Sequence, residues 1–293
     1  MSKPEIILAK SAGFCFGVER AVNTVYEEVE KGGDIYTFGP IIHNTEVVTD
    51  LAAKGVRIVE SEEEIRALEH GTVIIRSHGV SRRIDRLIRE KGIPCVDATC
   101  PFVKRIHRIV EAESAAGKKI VIVGNPVHPE VMGIMGWSST PVTVIQTAEE
   151  AGEFEIRARE SGISGPEPDL CVVAQTTFNA NKFQDVVEIL KKRRYNVLCV
   201  NTICNATHER QSEAKAIAAR ADIMIVIGDR SSSNSAKLFE ICRKECPRTH
   251  FIQTWNDLNL TLTGAEKVIG ITAGASTPKN IIEEVYYHVR ADL

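Results

Sequence analysis

Short, continuous apolar runs punctuate the chain: "EIILA", "DIYTF", "TVIIR", "IPCV", "KKIVIVG", "LCVVA", "NVLCV", "DIMIVIG" and "KVIGIT". Apolar residues fill successive rather than alternate positions, which predicts strands buried on both faces, as in parallel sheets covered by helices. Between them lie stretches of helical periodicity, "VERAVNTVYEEVEK", "SRRIDRLIREK", "ATHERQSEAKAIAARA" and "TPKNIIEEVYYHV". The alternation predicts an α/β fold with small, mainly parallel sheets. In "TCP" and "STP" a proline follows a small polar residue, where its missing N–H does no harm at a helix start. The stretch Glu160 to Asp169, "ESGISGPEPD", is rich in Gly, Ser and Pro and reads as a linker.

The pattern also repeats. "VDATCP" (Val96 to Pro101) returns 104 residues later as "VNTICN" (Val200 to Asn205), and the same shift carries Gly124 to Gly228, His128 to Ser232 and Glu130 to Asn234. Moving back 85 residues takes Cys100 to Cys15, Gly124 to Gly39 and His128 to His43. A later strand end in each copy bears a further polar residue, His78, Thr176 or Ser276, once small insertions are allowed. Three similar α/β modules are therefore expected, at 15–99, 100–198 and 199–293, joined by an N-terminal strand within 1–14. Each module presents one cysteine and several polar residues at the carboxyl ends of its strands, where open parallel sheets bind ligands. Set around a pseudo-threefold axis, they would bring Cys15, Cys100 and Cys204 together.

Composition narrows the chemistry. With 293 residues, 43% of them hydrophobic, the chain can bury a large core, and a net charge of −3 argues against a general nucleic-acid binder. The start, "MSKPEIILAK", lacks the apolar core of a signal peptide, and no run approaches the roughly 18 apolar residues of a membrane span. A cytoplasmic location with no membrane partner is expected. Thiols stay reduced there, so the eight cysteines are not read as a disulfide framework, and metal binding or catalysis becomes the leading role for some of them.

Three thiolates in register suit zinc or an iron–sulfur cluster. A structural zinc site usually wants four ligands with C-x-x-C pairs, which are absent here. A 4Fe–4S cluster held by three cysteines keeps one iron open for substrate. Cys95, Cys171, Cys199, Cys242 and Cys246 are read as structural. "GDRSSSNS" follows a strand and opens a helix, so Ser232, Ser233 and Asn234 offer donors to an anion such as phosphate, with His43, His78 and His128 as further donors. No phosphate-loop or dinucleotide signature is present, which argues against a nucleotide. Glu130 is the single carboxylate in this register and suits a proton donor, with Thr176 placed to orient it or relay through water.

Together, "GFCFGV", "GPIIHN", "SHGVS", "DATCP", "HPEV", "QTT", "ICNAT", "SSSNS" and "TAGAST" resemble the LytB (IspH) family of 4-hydroxy-3-methylbut-2-enyl diphosphate reductases over nearly the whole chain. The resemblance implies a three-domain trefoil around a 4Fe–4S cluster on Cys15, Cys100 and Cys204, with one open iron site. It implies a substrate site of His43, His78, His128, Thr176, Ser232, Ser233, Asn234 and Ser276, and Glu130 central to protonation. The implied reaction, the last step of the non-mevalonate isoprenoid pathway, converts an allylic diphosphate to isopentenyl and dimethylallyl diphosphate. A ferredoxin or flavodoxin would supply electrons. The chain ends soon after "YYHV", so the RNA-binding repeats appended in some relatives are not expected, and the linker after Glu160 follows no family pattern. Two other readings stay open: an aconitase-type hydro-lyase, active without reductant, and a metal-free or zinc-bearing phosphate-binding module, which would be colourless.

Overall fold

Apolar residues that alternate between the two faces of each strand bury the sheets on both sides, and helices supply the covers. In the computed structural model, which describes residues 3–160, 169–192 and 195–291, the strands are β1 (Glu5–Leu8), β2 (Ile35–Phe38), β3 (Arg57–Val59), β4 (Thr72–Ile75), β5 (Cys95–Asp97), β6 (Lys119–Val123), β7 (Val142–Ile145), β8 (Leu170–Ala174), β9 (Val197–Cys199), β10 (Ile223–Ile227), β11 (Thr249–Ile252) and β12 (Val268–Ala273). The α-helices are α1 (Phe16–Lys31), α2 (Thr45–Ala53), α3 (Glu62–Ala67), α4 (Arg82–Glu90), α5 (Pro101–Ala115), α6 (Pro129–Met135), α7 (Ala148–Glu160), α8 (Ala180–Lys192), α9 (Asn205–Ala218), α10 (Ser233–Glu245) and α11 (Lys279–Ala291). Residues 161–168, most of the linker read from the sequence, lie outside the described residues.

The strands form three four-stranded sheets in which every pairing is parallel, in the orders β3-β2-β4-β5, β7-β6-β8-β9 and β11-β10-β12-β1. The plan is the same three times. The N-terminal β1 fills the fourth position of the third sheet, where Leu8 aligns with Ile271 of β12. Sequence periodicity missed β3, β7 and β11, and all three hold the same edge position. Their short stretches "RIV", "VTVI" and "THFI" have one covered residue each, so they lack a continuous apolar signal.

In the second sheet Val121, Val123, Leu170 and Val172 pack with Phe183, Val186 and Leu190 of α8. The intervening Ile120, Ile122, Cys171 and Val173 pack on the opposite face with Ile106 and Val110 of α5 and Val131 and Ile134 of α6. In the third sheet Ile223, Ile225 and Ile227 meet α11, while Met224 and Val226 meet α9 and α10. Each such fully buried aliphatic side chain contributes about 1.5–3 kcal/mol of transfer free energy.

By contact, the chain divides into two compact units: Met1–Tyr26 with Ile42–Gly55 and Asn205–Leu293, and Glu27–Ile41 with Val56–Cys204. The first holds the third sheet, and the other holds the first two sheets. Within the latter, α6 lies against the turn that precedes α4. Gly136 leaves room for Ser81, whose Cβ would stand 2.2 Å from an added methyl, and Trp137 Nε1–H donates to the Val80 carbonyl at 2.8 Å.

The strand next to the edge in each sheet, β2, β6 or β10, is followed by a glycine, Gly39, Gly124 or Gly228, whose N–H donates to the carbonyl of the last residue of the edge strand, Val59, Ile145 or Ile252. Gly39 has φ +70°, a conformation that disfavours side chains. At Gly228 the constraint is space, since a Cβ would fall 2.3 Å from Ser235 Oγ in the first turn of α10.

Candidate active site

The cysteine turns explain why the hexapeptide repeats. Asp97 Oδ1 accepts the Thr99 N–H at 2.9 Å, and Asn201 Oδ1 accepts the Ile203 N–H at 3.0 Å. Each side chain closes a turn of the kind Asp and Asn favour. The next residue is the cysteine. Its backbone N–H reaches the carbonyl two residues beyond the third strand of its sheet: Cys100 donates to Ser77 at 2.9 Å and Cys204 to Thr176 at 3.0 Å. Cys15 follows the same rule with Ala275 at 3.2 Å, but its approach contains no Asp or Asn.

In the Cys15 copy α9 supplies the missing restraint. Arg210 Nε donates to Ser11 O at 2.9 Å and Nη2 to Gly13 O at 2.7 Å, while Glu213 accepts the N–H groups of Lys10 and Ser11 and the Ser11 hydroxyl. Sequence reading missed Arg210 and Glu213. Their three-residue spacing on one helix face was visible in "THERQSE", but nothing there pointed to a loop some two hundred residues earlier.

The donor set fits a thiolate-bound cluster. None of the eight cysteines is in a disulfide, and Cys15, Cys100 and Cys204 are half-buried at strand-end turns. The other five sit where a thiol stays protonated. Burial pushes Cys171 up to about 11 and Cys242 up to about 12, and it raises Cys95, Cys199 and Cys246 as well.

In the larger unit, His128 caps the N-terminus of α6, its Nδ1 accepting the Glu130 N–H at 3.1 Å. A neutral ring then carries its proton on Nε2, where it serves as a donor. His78 meets His128 edge to face, ring centroids 5.4 Å apart. Glu130 is only 2% exposed, and Thr176 binds both of its oxygens, the backbone N–H to Oε1 and the hydroxyl to Oε2, each at 2.6 Å. The Thr176 carbonyl at the same time holds Cys204. The register read from the sequence shifts by one here: Thr176 is the counterpart of Ser77 and Ala275, one residue before the positions of His78 and Ser276. That shift lets one residue grip both the carboxylate and the cysteine turn.

The smaller unit carries Cys15, His43, Ser232, Ser233, Asn234 and Ser276. Ser232 caps α10, accepting the Ser235 N–H at 3.3 Å and the Ser276 hydroxyl at 3.4 Å. Asn234, in the first turn of α10, is 4% exposed, yet neither its side-chain oxygen nor its nitrogen has a hydrogen-bond partner among the described residues. A buried amide in that condition costs about 1–3 kcal/mol until a polar ligand completes it. A half-buried His43 precedes Asn44, which caps α2 by accepting the Val47 N–H at 3.0 Å.

Asp229 ties these two stretches together. Its Oδ1 accepts the Ser231 N–H and hydroxyl, and its Oδ2 accepts the Thr45 N–H and hydroxyl, at 2.6–2.9 Å. Asn125 makes the same turn 104 residues earlier by accepting the Val127 N–H, so Asp229 belongs to the repeat although sequence reading passed over it. Burial works to raise its pKa, but the four bonds from Ser231 and Thr45 pull it down to about 2, from an ordinary 3.8. A carboxylate depressed in the folded state stabilises above its unfolded pKa, and that stability is lost as pH falls toward the folded value. Asp229→Asn is therefore expected to lower the urea midpoint near neutral pH, with the deficit shrinking between about pH 4 and pH 2. A deficit that does not change with pH would show that shape, not charge, sets the role of this residue.

Against known proteins, the family model described as LytB protein matches residues 6–290. The 4-hydroxy-3-methylbut-2-enyl diphosphate reductase of Caldanaerobacter subterraneus subsp. tengcongensis is 42% identical over 289 residues, covering 98% of this chain and 97% of that protein. The reductase of the same name from Clostridioides difficile is 41% identical over 281 residues, covering 96% and 97%. Among solved structures, one described as (E)-4-hydroxy-3-methyl-but-2-enyl diphosphate reductase, the terminal enzyme of the non-mevalonate pathway, is 38% identical with a TM-score of 0.70, covering 99% of this chain and all of the other. The E-1-hydroxy-2-methyl-but-2-enyl-4-diphosphate reductase of Plasmodium falciparum is 26% identical with a TM-score of 0.87, over 99% and 88% of the two chains. Matched from end to end by that model and by these reductases, the chain belongs to the LytB protein family.

Proposed function

We propose that this chain is a 4-hydroxy-3-methylbut-2-enyl diphosphate reductase, an oxidoreductase that removes the allylic hydroxyl as water and yields isopentenyl and dimethylallyl diphosphate. The observation that carries the reading is the buried Glu130 held at both oxygens by Thr176, whose carbonyl fixes the Cys204 turn. A titratable carboxylate is thereby attached to the same backbone segment as a candidate cluster ligand. Cys15, Cys100 and Cys204 would hold one 4Fe–4S cluster with an open iron. When bound, such a cluster supplies the two electrons, one at a time, and a Lewis-acidic iron.

The remaining work falls to side chains of this chain. Ser232, Ser233, Asn234 and Ser276, with His43, His78 and His128, bind the diphosphate, and Asn234 gains the partners it lacks. At 2.6 Å the Thr176 hydroxyl can donate to Glu130 Oε2 or accept from it, so the pair holds a proton without moving. Glu130 passes that proton toward the leaving hydroxyl, which departs as water, while Thr176 keeps the carboxyl oriented. A second proton completes the alkene at either end of the allyl unit. The donor of electrons is of ferredoxin or flavodoxin type, and the location is cytoplasmic; among the described residues no helix is long and apolar enough to cross a membrane.

Iron and acid-labile sulfide, measured on anaerobically purified protein, are expected near four of each per chain, with a brown colour. Colourless, iron-free protein would favour the phosphate-binding reading instead.

A further inference from the structure

Each candidate cluster ligand is followed in the sequence by a helix, and the outward residues of the three helices differ. On α1 they are Phe16, Glu19, Asn23, Glu27, Glu30 and Lys31, a mainly acidic stripe. On α9 they include Asn205, His208, Glu209, Ser212 and Lys215, a mixed one. On α5, where Cys100 is the N-cap, they are Pro101, Phe102, Arg105, Arg108, Ala112 and Ala115, with no acid among them. Phe102 is 45% exposed two residues from Cys100. Arg105 and Arg108 make no ion pair among the described residues, whereas Lys104 on the inner side is spent on Asp97 at 2.7 Å and Arg82 on Glu111 at 3.0 Å. Beside this stripe a cleft of about 290 Å³ runs between α4 and α5; it is mixed in charge, since Asp85, Asp97 and Glu111 line it with Arg89, Lys104 and Arg108, and Arg89 is paired with Asp85 at 2.9 Å, so the uncompensated positive charge stays on Arg105 and Arg108 of α5.

We propose that the α5 surface of Phe102, Arg105 and Arg108 is the docking face for an acidic one-electron carrier protein, an inference that rests on the reductase reading. The reaction needs two electrons from outside, and a chain of net charge −3 repels an acidic partner everywhere except at a local basic face. Of the three ligand-bearing turns, only the one at Cys100 opens onto such a face. An exposed aromatic followed on the same helix by two arginines that make no ion pair among the described residues has the composition expected at the centre of a protein contact. At each encounter the reduced carrier loses one electron and the holoenzyme gains it. Two encounters provide the two electrons that, with two protons, turn the substrate hydroxyl into water and the allyl group into product.

The test compares two reductants on the anaerobic holoenzyme: a reduced acidic ferredoxin, and dithionite with methyl viologen. Arg105→Glu combined with Arg108→Glu is expected to raise the KM for ferredoxin about 10-fold or more and to flatten its dependence on salt, while dye-driven turnover stays within about 2-fold of wild type. Lys215→Glu with Arg220→Glu, in and just after α9, makes the same change in net charge and is expected to leave the ferredoxin KM within about 2-fold. The proposal is overturned if the α5 variant keeps its ferredoxin KM, if dye-driven and ferredoxin-driven rates fall together, or if the α9 variant loses as much. Absence of dye-driven turnover in the wild type would instead sink the reductase reading, and this proposal with it.

Discussion

Serine in place of Cys204 is expected to leave a folded protein without iron and without measurable turnover. The Cys204 backbone is held by the Thr176 carbonyl and the Asn201 turn, and both bonds survive the substitution. Folding is therefore retained, and the far-UV circular dichroism should match wild type. What is lost is the soft thiolate, which a serine hydroxyl, still protonated at neutral pH, does not replace at an iron–sulfur centre. The same outcome is expected for Cys15→Ser and Cys100→Ser. Cys95→Ser and Cys199→Ser are the contrast: those thiols lie on strands beside the turns, burial keeps them protonated, and iron content should be unchanged. Loss of iron in the Cys95 or Cys199 variant, with retention in the Cys204 variant, would move the ligand set.

The second large effect belongs to Glu130. In Glu130→Gln the side-chain oxygen can still accept the Thr176 N–H, and the amide nitrogen can donate to the Thr176 hydroxyl, so the hydrogen-bonded pair persists with its geometry. Only the transferable proton is gone. Turnover is expected to fall about 10²-fold or more, with iron content and substrate KM close to wild type. A drop in kcat with KM preserved separates loss of a proton donor from loss of binding. Near-normal kcat would remove Glu130 from the chemistry and leave it as the N-terminal carboxylate of α6, stabilised by the helix dipole.

Much of this was legible in the sequence because it is written three times. A hexapeptide returning at a fixed offset marks a turn whose geometry is reused, and the turns at Asp97 and Asn201 prove to be that geometry. Apolar runs marked the inner strands, since β8 and β10 are covered on both faces and need no polar residue. Edge strands β3, β7 and β11 escaped because each has only three or four residues, with a single fully covered one, too few to carry a period. What the repeat could not reveal is what breaks it. The Cys15 copy lacks the Asp or Asn of the other two, and its loop is held by Arg210 and Glu213, a contact between opposite ends of the chain. Asp229 was passed over for a different reason: nothing in "GDRSSSNS" points to Thr45, and only its bonds to that residue show that it also fixes the stretch bearing His43.

One anaerobic assay tests the central claim most directly. Protein loaded with iron and sulfide, reduced with dithionite and methyl viologen and given 4-hydroxy-3-methylbut-2-enyl diphosphate, is followed by dye oxidation and by mass spectrometry of the product. Two electrons consumed for each molecule of isopentenyl or dimethylallyl diphosphate formed, and no conversion without reductant, is the expected result. Conversion that proceeds without reductant, giving a product in which only water has been added or removed, would contradict it and identify a hydro-lyase.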